Sequence, residues 1–264
     1  MTVWPTDGSG AGPGAGRWAP LARRTPVAKI AALALFTTAA LFTRDLAALA
    51  FALAVTLLAA PLFGITPWGL LRRGLPALFA AATVVLSLTL FAADRSGTVL
   101  LHFGPFLVTT TVLYNAATLA LRLLVIALPS ILVFSTTDPT DLADSLIQHT
   151  RVSARFAIGA LAAFRLVGLL GEEWRTIAMA RRARGLDAGG NPVRWVKVFA
   201  GTAFGLLVGA IRRGTRLAVA MDARGFDSGI PRGLARPIPW RAADWLLILA
   251  GAVLAAAIQY LAHR

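Results

Sequence analysis

The chain has 264 residues, of which 57% are hydrophobic and only 14% are charged. Because average soluble domains carry roughly 25% charged residues, this chain has too few charged side chains to cover a water-soluble surface of its size. The absence of cysteine excludes disulfides and thiolate metal ligands, and the three histidines (His102, His149 and His263) are too far apart in the sequence to suggest a metal site.

The net charge of +14 would suit a nucleic-acid partner, but its distribution indicates a membrane instead. Sixteen of the 26 lysines and arginines lie between Arg151 and Arg241, and four more lie between Arg17 and Lys29. Basic residues that cluster on one side of a bilayer are typical of the positive-inside bias. We therefore expect anionic lipid headgroups, and no nucleic acid, as partners of this charge.

The first 24 residues are rich in glycine, proline and alanine and show no apolar periodicity. Such a segment buries too little apolar surface to offset the entropy of ordering it. Residues 1–24 are therefore predicted to form a flexible tail.

Five apolar runs follow the tail, each close to the roughly 20 residues that a helix needs to cross a bilayer. The predicted spans are residues 27–42, 46–63, 75–93, 106–134 and 245–261. Residues 67–74, with Arg72 and Arg73, are expected to form a loop on the same side of the membrane as the tail. The predicted fold is all-α, a polytopic bundle of about five transmembrane helices, with four in residues 25–137 and one in residues 242–264.

Arg122 lies within the fourth run, where a charged side chain at the bilayer centre costs about 2.5 kcal/mol or more. The favoured interpretation is that Arg122 snorkels toward an interface or pairs with Asp45 or Asp94. A direct role in substrate binding is the alternative.

Residues 138–241 separate the fourth run from the fifth and carry most of the charge. The sequence Asp138-Pro139-Thr140-Asp141 is typical of a helix start, with Asp138 as the cap. Two long amphipathic helices follow, at about residues 152–184 and 193–224, because apolar residues recur there at three- and four-residue spacing between charged ones. Neither helix suits hydrocarbon along its whole length, so residues 138–241 are predicted to form a cytoplasmic domain.

Both long helices end in the same ten-residue pattern. Residues 180–189 read ARRARGLDAG and residues 220–229 read AMDARGFDSG, with six identical positions at an offset of forty. Arg-Gly is a common helix end, and a single copy would need no further explanation. Two copies at the ends of successive helices favour two equivalent binding sites.

The shared residues suit such a site chemically. A glycine at each end permits the left-handed conformation that closes a helix. The preceding arginine projects from the last turn, where the helix dipole favours positive charge, and its guanidinium can bind a carboxylate with two hydrogen bonds. The candidate site residues are Ala183, Arg184, Gly185, Ala223, Arg224 and Gly225, supported by Ala180, Asp187, Ala220 and Asp227.

At these residues the sequence resembles the T component, the transmembrane coupling subunit, of energy-coupling factor (ECF) importers, a family that includes CbiQ, BioN and EcfT. Members carry two Ala-Arg-Gly motifs at the ends of two long cytoplasmic coupling helices. The similarity extends to the Thr25-Pro26 start of the first span, to Asp138-Pro139 and to Glu172-Glu173-Trp174.

The resemblance implies a non-catalytic subunit in the bacterial cell membrane, with the N-terminus and the coupling helices in the cytoplasm. Two ATP-binding-cassette (ABC) ATPases would bind the two motifs, and a separate membrane S component would capture a vitamin or a transition metal such as cobalt or nickel. ATP would be bound by the ATPases, so no cofactor is expected here. The sequence accordingly has no G-x-x-x-x-G-K-[ST] motif.

Two other functions are alternatives. A membrane enzyme of the lipid phosphotransfer type would need paired carboxylates; Asp222 and Asp227 beside Arg224 are the candidates, but their spacing does not match that expected. A self-contained secondary transporter should show broken helices in inverted repeats, whereas the repeat found here is parallel.

Overall fold

The computed structural model describes residues 20–91, 98–103, 106–150, 152–186, 190–226, 228 and 236–263. The helices of this part of the chain are α1 (Pro26–Phe42), α2 (Leu46–Ala59), α3 (Pro67–Arg73), α4 (Leu75–Phe91), α5 (Thr110–Ser135), α6 (Pro139–His149), α7 (Ala154–Ala183), α8 (Pro192–Ala223) and α9 (Ala242–Ala262). A 3-10 turn, Ala60–Phe63, extends α2. Two compact units result: unit 1 is Met1–Ser145 with Ile238–Arg264, and unit 2 is Leu146–Pro237.

The all-α prediction is confirmed, with one local exception. An antiparallel hairpin of β1 (Val99–Phe103) and β2 (Phe106–Thr109) precedes α5. The fourth run was predicted to be helical from residue 106, but it begins as a strand because Thr109 caps α5, its hydroxyl accepting from the Val112 N–H at 3.4 Å.

The segment expected to be a loop, residues 67–74, is also different. It forms the short helix α3, which begins with Pro67 in its first turn, and the Thr66 hydroxyl accepts from the Gly69 N–H at 3.1 Å. A proline with a preset φ, following a capping threonine, starts a helix readily, so the loop prediction was wrong.

Five helices of the described residues are long and apolar enough to cross a membrane, or six if α3 and α4, which bend by 66°, count together. Three of the five (Leu46–Phe63, Thr110–Ser135 and Ala242–Ala262) were predicted spans, whereas α1 is a shorter apolar helix. The other two are α7 and α8, which the sequence placed in the cytoplasm. They meet the criterion because each contains one long apolar stretch with few charges, although both carry several charges outside it.

Unit 1 is built on close packing of small residues. Ala40, Ala48 and Ala52 are fully buried with Leu49 and Val125 in one cluster. On α9, a Cβ added to Gly251 would lie 3.0 Å from the Cα, Cβ and carbonyl oxygen of Ala32 on α1. In a bilayer, where lipid is as apolar as the core, such close approach of backbones is a main source of helix association.

A buried ammonium group connects one end of this bundle. Lys29 is 2% exposed, and its Nζ donates to the carbonyls of Ala22 at 2.6 Å and Thr136 at 3.1 Å. The carboxylates of Asp141 and Asp244 also act on it electrostatically. Lys29 thus links the start of α1 to the residues that follow α5 and to the first turns of α6 and α9.

Asp244 completes this connection. It is 1% exposed, and its carboxylate accepts from the N–H groups of Thr25 at 3.1 Å and Arg241 at 2.9 Å. It therefore caps α9 and holds the start of α1 beside it.

The structure describes the last five residues of the predicted tail, and these are packed. Ala22 is fully buried, and the Leu21 N–H donates to the Leu62 carbonyl at 3.2 Å. The flexible tail was therefore predicted too long, because the Lys29 ammonium holds Ala22 in place; residues 1–19 lie outside the described part.

Arg122 does not pair with Asp45, one of its two predicted partners. Its Nη2 donates to the Thr43 carbonyl at 2.6 Å, while the Asp45 carboxylate accepts from the Ala48 N–H at 2.9 Å. Because α1 ends at Phe42, the carbonyls of its end lack helical partners, and the guanidinium binds one of them. Asp94, the other predicted partner, lies outside the described residues.

Replacing Gly251 with alanine should force α1 and α9 apart, because the new methyl group meets backbone atoms of Ala32. We expect the free energy of unfolding to fall by about 1–3 kcal/mol. The measurement is the midpoint of thermal unfolding in detergent, monitored by tryptophan fluorescence, which should be lower. Gly205→Ala is the matched control, since nothing lies within 4 Å of its added Cβ. Equal midpoints for the two variants would contradict the close packing.

Replacing Lys29 with methionine should destabilise unit 1, because two carbonyls lose a donor and two carboxylates lose a nearby positive charge. We expect the free energy of unfolding to fall by about 2–4 kcal/mol. The measurement is the fraction of protein that stays monodisperse in size-exclusion chromatography after heating. Lys197→Met removes the other lysine, which is exposed, and should leave the profile unchanged.

Candidate functional site

Unit 2 is organised by the contact of α7 with α8. The Glu173 carboxylate pairs with the Arg213 guanidinium at 3.0 Å, and Arg181 Nη1 donates to the Val198 carbonyl at 3.4 Å. From Glu173 to Arg181 the residue number rises along α7, whereas that of the contacted residue on α8 falls from Arg213 to Val198. The two helices run in opposite directions where they touch.

Glycines on α8 allow this contact. A Cβ added to Gly201 would lie 2.8 Å from Arg181 Nη1, and one added to Gly209 would lie 3.3 Å from Glu173 Oε1. Side chains of α7 thus rest directly on the backbone of α8. Gly201 and Gly209 lie eight residues apart, about two helical turns, and this spacing is a signal in the sequence that was not used to predict the face.

Aromatic side chains pack beside the same contact. The rings of Trp174 on α7 and Phe199 on α8 have centroids 5.2 Å apart, and Trp195 stacks on Phe199 at 5.3 Å. Offset and tilted ring pairs at these separations are favourable. They fix the C-terminal half of α7 against the N-terminal half of α8.

The end of α7 is closed by a left-handed glycine. Gly185 has a φ of 71°, and its N–H donates to the Arg182 carbonyl at 2.9 Å. The N–H of Leu186 donates to the Arg181 carbonyl at 3.0 Å. These two bonds make a Schellman motif, which satisfies carbonyls that a helix end would leave without partners.

The end of α8 has the same geometry. Gly225 has a φ of 69°, its N–H donates to the Asp222 carbonyl at 2.9 Å, and the Phe226 N–H donates to the Met221 carbonyl at 3.0 Å. The expected left-handed glycines are therefore present at both ends, with the same pair of hydrogen bonds.

Each end presents its motif residues to solvent. The six candidate residues and the two supporting alanines are all exposed: Ala180, Ala183, Arg184, Gly185, Ala220, Ala223, Arg224 and Gly225. Within the described part of the chain, the side chains of Arg184 and Arg224 have no hydrogen bond or ion pair. Because backbone bonds alone close the helix ends, both guanidinium groups remain available to a partner carboxylate.

The two ends lie far apart in unit 2. At 1.5 Å per residue, α7 is about 45 Å long and α8 about 48 Å. Since the helices are antiparallel where they touch, the two motifs occupy opposite ends of the pair.

Two predicted supporting residues, Asp187 and Asp227, lie outside the described residues. The alternative of a phosphotransfer enzyme depends on Asp227 as one of its two carboxylates, so the structure does not test it. Among the residues that the structure describes, no group of three or more histidine, aspartate or glutamate side chains is placed to hold a metal ion.

Substituting Gly185 or Gly225 with alanine should strain the helix ends, since an L-residue pays about 1–2 kcal/mol for a left-handed conformation. We expect faster amide hydrogen exchange over the last turn of the altered helix. Gly168→Ala, in the middle of α7 where nothing lies within 4 Å of the added Cβ, should leave exchange at both ends unchanged. Unchanged exchange in the Gly185 and Gly225 variants would contradict the role of these bonds.

Comparison with known proteins shows the family to which the chain belongs. The profile of the CbiQ family, described as a cobalt transport protein, matches residues 19–233. The energy-coupling factor transporter transmembrane protein EcfT of Listeria innocua is 30% identical over 198 residues, covering 72% of this chain and 74% of that protein.

Two further relatives carry the same description. EcfT of Lacticaseibacillus paracasei is 35% identical over 186 residues, with 65% of this chain and 69% of that protein covered. EcfT of Bacillus subtilis is 29% identical over 203 residues, with 74% and 76% covered. The chain therefore belongs to the CbiQ family and is a transmembrane T component of the energy-coupling factor transporter type.

Proposed function

We propose that this T component binds two ABC ATPase subunits through the ends of α7 and α8 and passes their ATP-driven movement to a substrate-binding S component in the membrane. The observation that carries the proposal is the pair of equivalent helix ends, each closed by a Schellman motif and each presenting one exposed arginine. A pair of equal ends at opposite extremes of one helix pair suits two separate protein partners better than one small ligand.

The chemistry of each end suits insertion into a groove of another protein. Exposed alanines, Ala180 with Ala183 and Ala220 with Ala223, allow a partner backbone to approach closely. The arginine beyond them can form two parallel hydrogen bonds with a carboxylate, which gives direction as well as attraction. ATP would be bound by the ATPases, and the chain itself would catalyse no reaction.

The contact between α7 and α8 supports the transmission of force. Trp174, Phe199 and Trp195 pack the helices together, whereas the Glu173–Arg213 pair is 30–40% exposed and contributes little to stability. Rigid helices joined over a short region pass movement of one end to the rest of the pair.

We infer that unit 2 lies on the cytoplasmic side of the bacterial cell membrane, as does the N-terminus. Both helices have exposed apolar residues, among them Phe164, Val167, Phe204 and Leu207. Both helices, however, also carry charged residues outside their apolar stretches, which disfavours a position wholly within hydrocarbon. A site at the membrane surface, beside anionic headgroups and the S component, satisfies both properties.

The substrate would be chosen by the S component. The family description names cobalt transport, and the relatives are named only as transporter proteins. We therefore propose a vitamin or a transition metal as the transported class.

Replacing Arg184 and Arg224 with alanine should detach the ATPases. Each single change removes one charged pair and should weaken co-purification of the ATPases, and the double change should abolish both co-purification and uptake. The truncation of one buried partner in such a pair typically costs about 2–5 kcal/mol, or roughly 30-fold or more in affinity. The measurement is quantitative mass spectrometry of a tagged complex extracted in detergent from its own cells.

Arg175→Ala and Arg212→Ala are the matched controls, because both remove an exposed arginine from the same two helices away from their ends. They should leave the ATPases attached. Full co-purification with the double variant of Arg184 and Arg224 would refute the proposed role of the motifs. Transport or lipid phosphotransfer by the purified chain alone would support the alternatives instead.

A further inference from the structure

The two helix ends share a backbone geometry but differ in charge at one exposed position. Arg182 on α7 and Asp222 on α8 occupy the same place in the pattern, two residues before the motif arginine. Both are exposed, and the carbonyl of each accepts the same 2.9 Å bond from the closing glycine. A partner therefore cannot distinguish the two ends by their backbone, but it can distinguish them by the charge of the side chain at this position.

The neighbouring difference has an explanation inside the chain. Arg181 corresponds to Met221, and both are half-buried. The Arg181 guanidinium donates to the Val198 carbonyl and lies over Gly201, so it is used in the contact between α7 and α8.

The positive charge of Arg182 is favoured by the helix dipole at the end of α7, but its side chain makes no such contact, and Asp222 has neither explanation. Within the described residues neither side chain has a hydrogen bond or ion pair, and the residues three and four positions away in their own helices are uncharged. A negative charge in the last turn of α8 is also opposed by the helix dipole, so Asp222 does not stabilise its own helix. An exposed charge that works against local stability points to a partner outside the chain.

We propose that Arg182 and Asp222 direct the two helix ends to binding grooves on two unlike ATPases, so that the ends are not interchangeable. This inference rests on the proposed function. The groove that binds the α7 end carries an acidic side chain facing Arg182. The groove that binds the α8 end carries a basic side chain facing Asp222. Opposite charges at equivalent positions favour one orientation and penalise the reverse by like-charge contact.

The absence of cysteine allows a direct test. Met179 and Val219 are equivalent positions, 61% and 68% exposed, and lie outside the motifs. A single cysteine at either place, Met179→Cys or Val219→Cys, can carry a benzophenone maleimide. The tagged chain is purified with its complex, illuminated, and the cross-linked ATPase peptides are identified by mass spectrometry.

We expect the two positions to label different ATPase surfaces, acidic for Met179→Cys and basic for Val219→Cys. Adding Arg182→Asp should reduce labelling from position 179 at least about threefold while sparing position 219, and Asp222→Arg should do the reverse. The controls Arg175→Asp and Thr215→Arg, which change charge seven residues earlier on the same helices, should have neither effect.

Labelling of one and the same ATPase peptide from both positions would overturn the inference while leaving the proposed function intact. So would charge reversals that have no effect at their own end. Recovery of the chain without any ATPase would overturn the proposed function, and the inference with it.

Discussion

The arrangement of unit 1 depends on one buried ammonium group. Lys29 satisfies two backbone carbonyls and lies near two carboxylates, and each of these groups belongs to a different segment of the chain. Burying a charge in an apolar bundle is costly unless it is paired and hydrogen-bonded, so the partners must be held in place for the fold to be stable. This requirement orders residues that composition alone assigned to a flexible tail.

Unit 2 is held together in a different way. Its two long helices have few buried side chains, and they meet where glycines expose the backbone of α8 to the side chains of α7. Most of each helix is thereby left free to contact other molecules. In a T component, which belongs to a transporter with other components, an apolar surface left exposed by the chain itself is expected to be covered by them or by lipid.

The sequence predicted the regular parts of this structure well. The helices α7 and α8 were expected at residues 152–184 and 193–224 and were found within two residues of those bounds. The closing glycines followed from local backbone chemistry, which needs no tertiary contact. The helix α3 was missed although Thr66 and Pro67 mark its start in the sequence. The partner of Arg122 was missed because the Thr43 carbonyl becomes available only where α1 ends beside α5. The hairpin was missed because its apolar residues continue into α5 without a break in composition. The use of the two arginine motifs stays a prediction, since no contact inside the chain bears on it.

The ion pair between α7 and α8 has a geometric consequence. Glu173 and Arg213 are forty residues apart, the same offset that relates the two motifs, so the pair joins equivalent points of the two helices. Eleven residues separate each point from its motif arginine, an arm of about 16 Å on either side. The ion pair therefore lies at the same distance, measured along each helix, from the two motif arginines. In the proposed complex, two ATPases that moved the two helix ends by equal amounts would therefore act at equal distances from the ion pair.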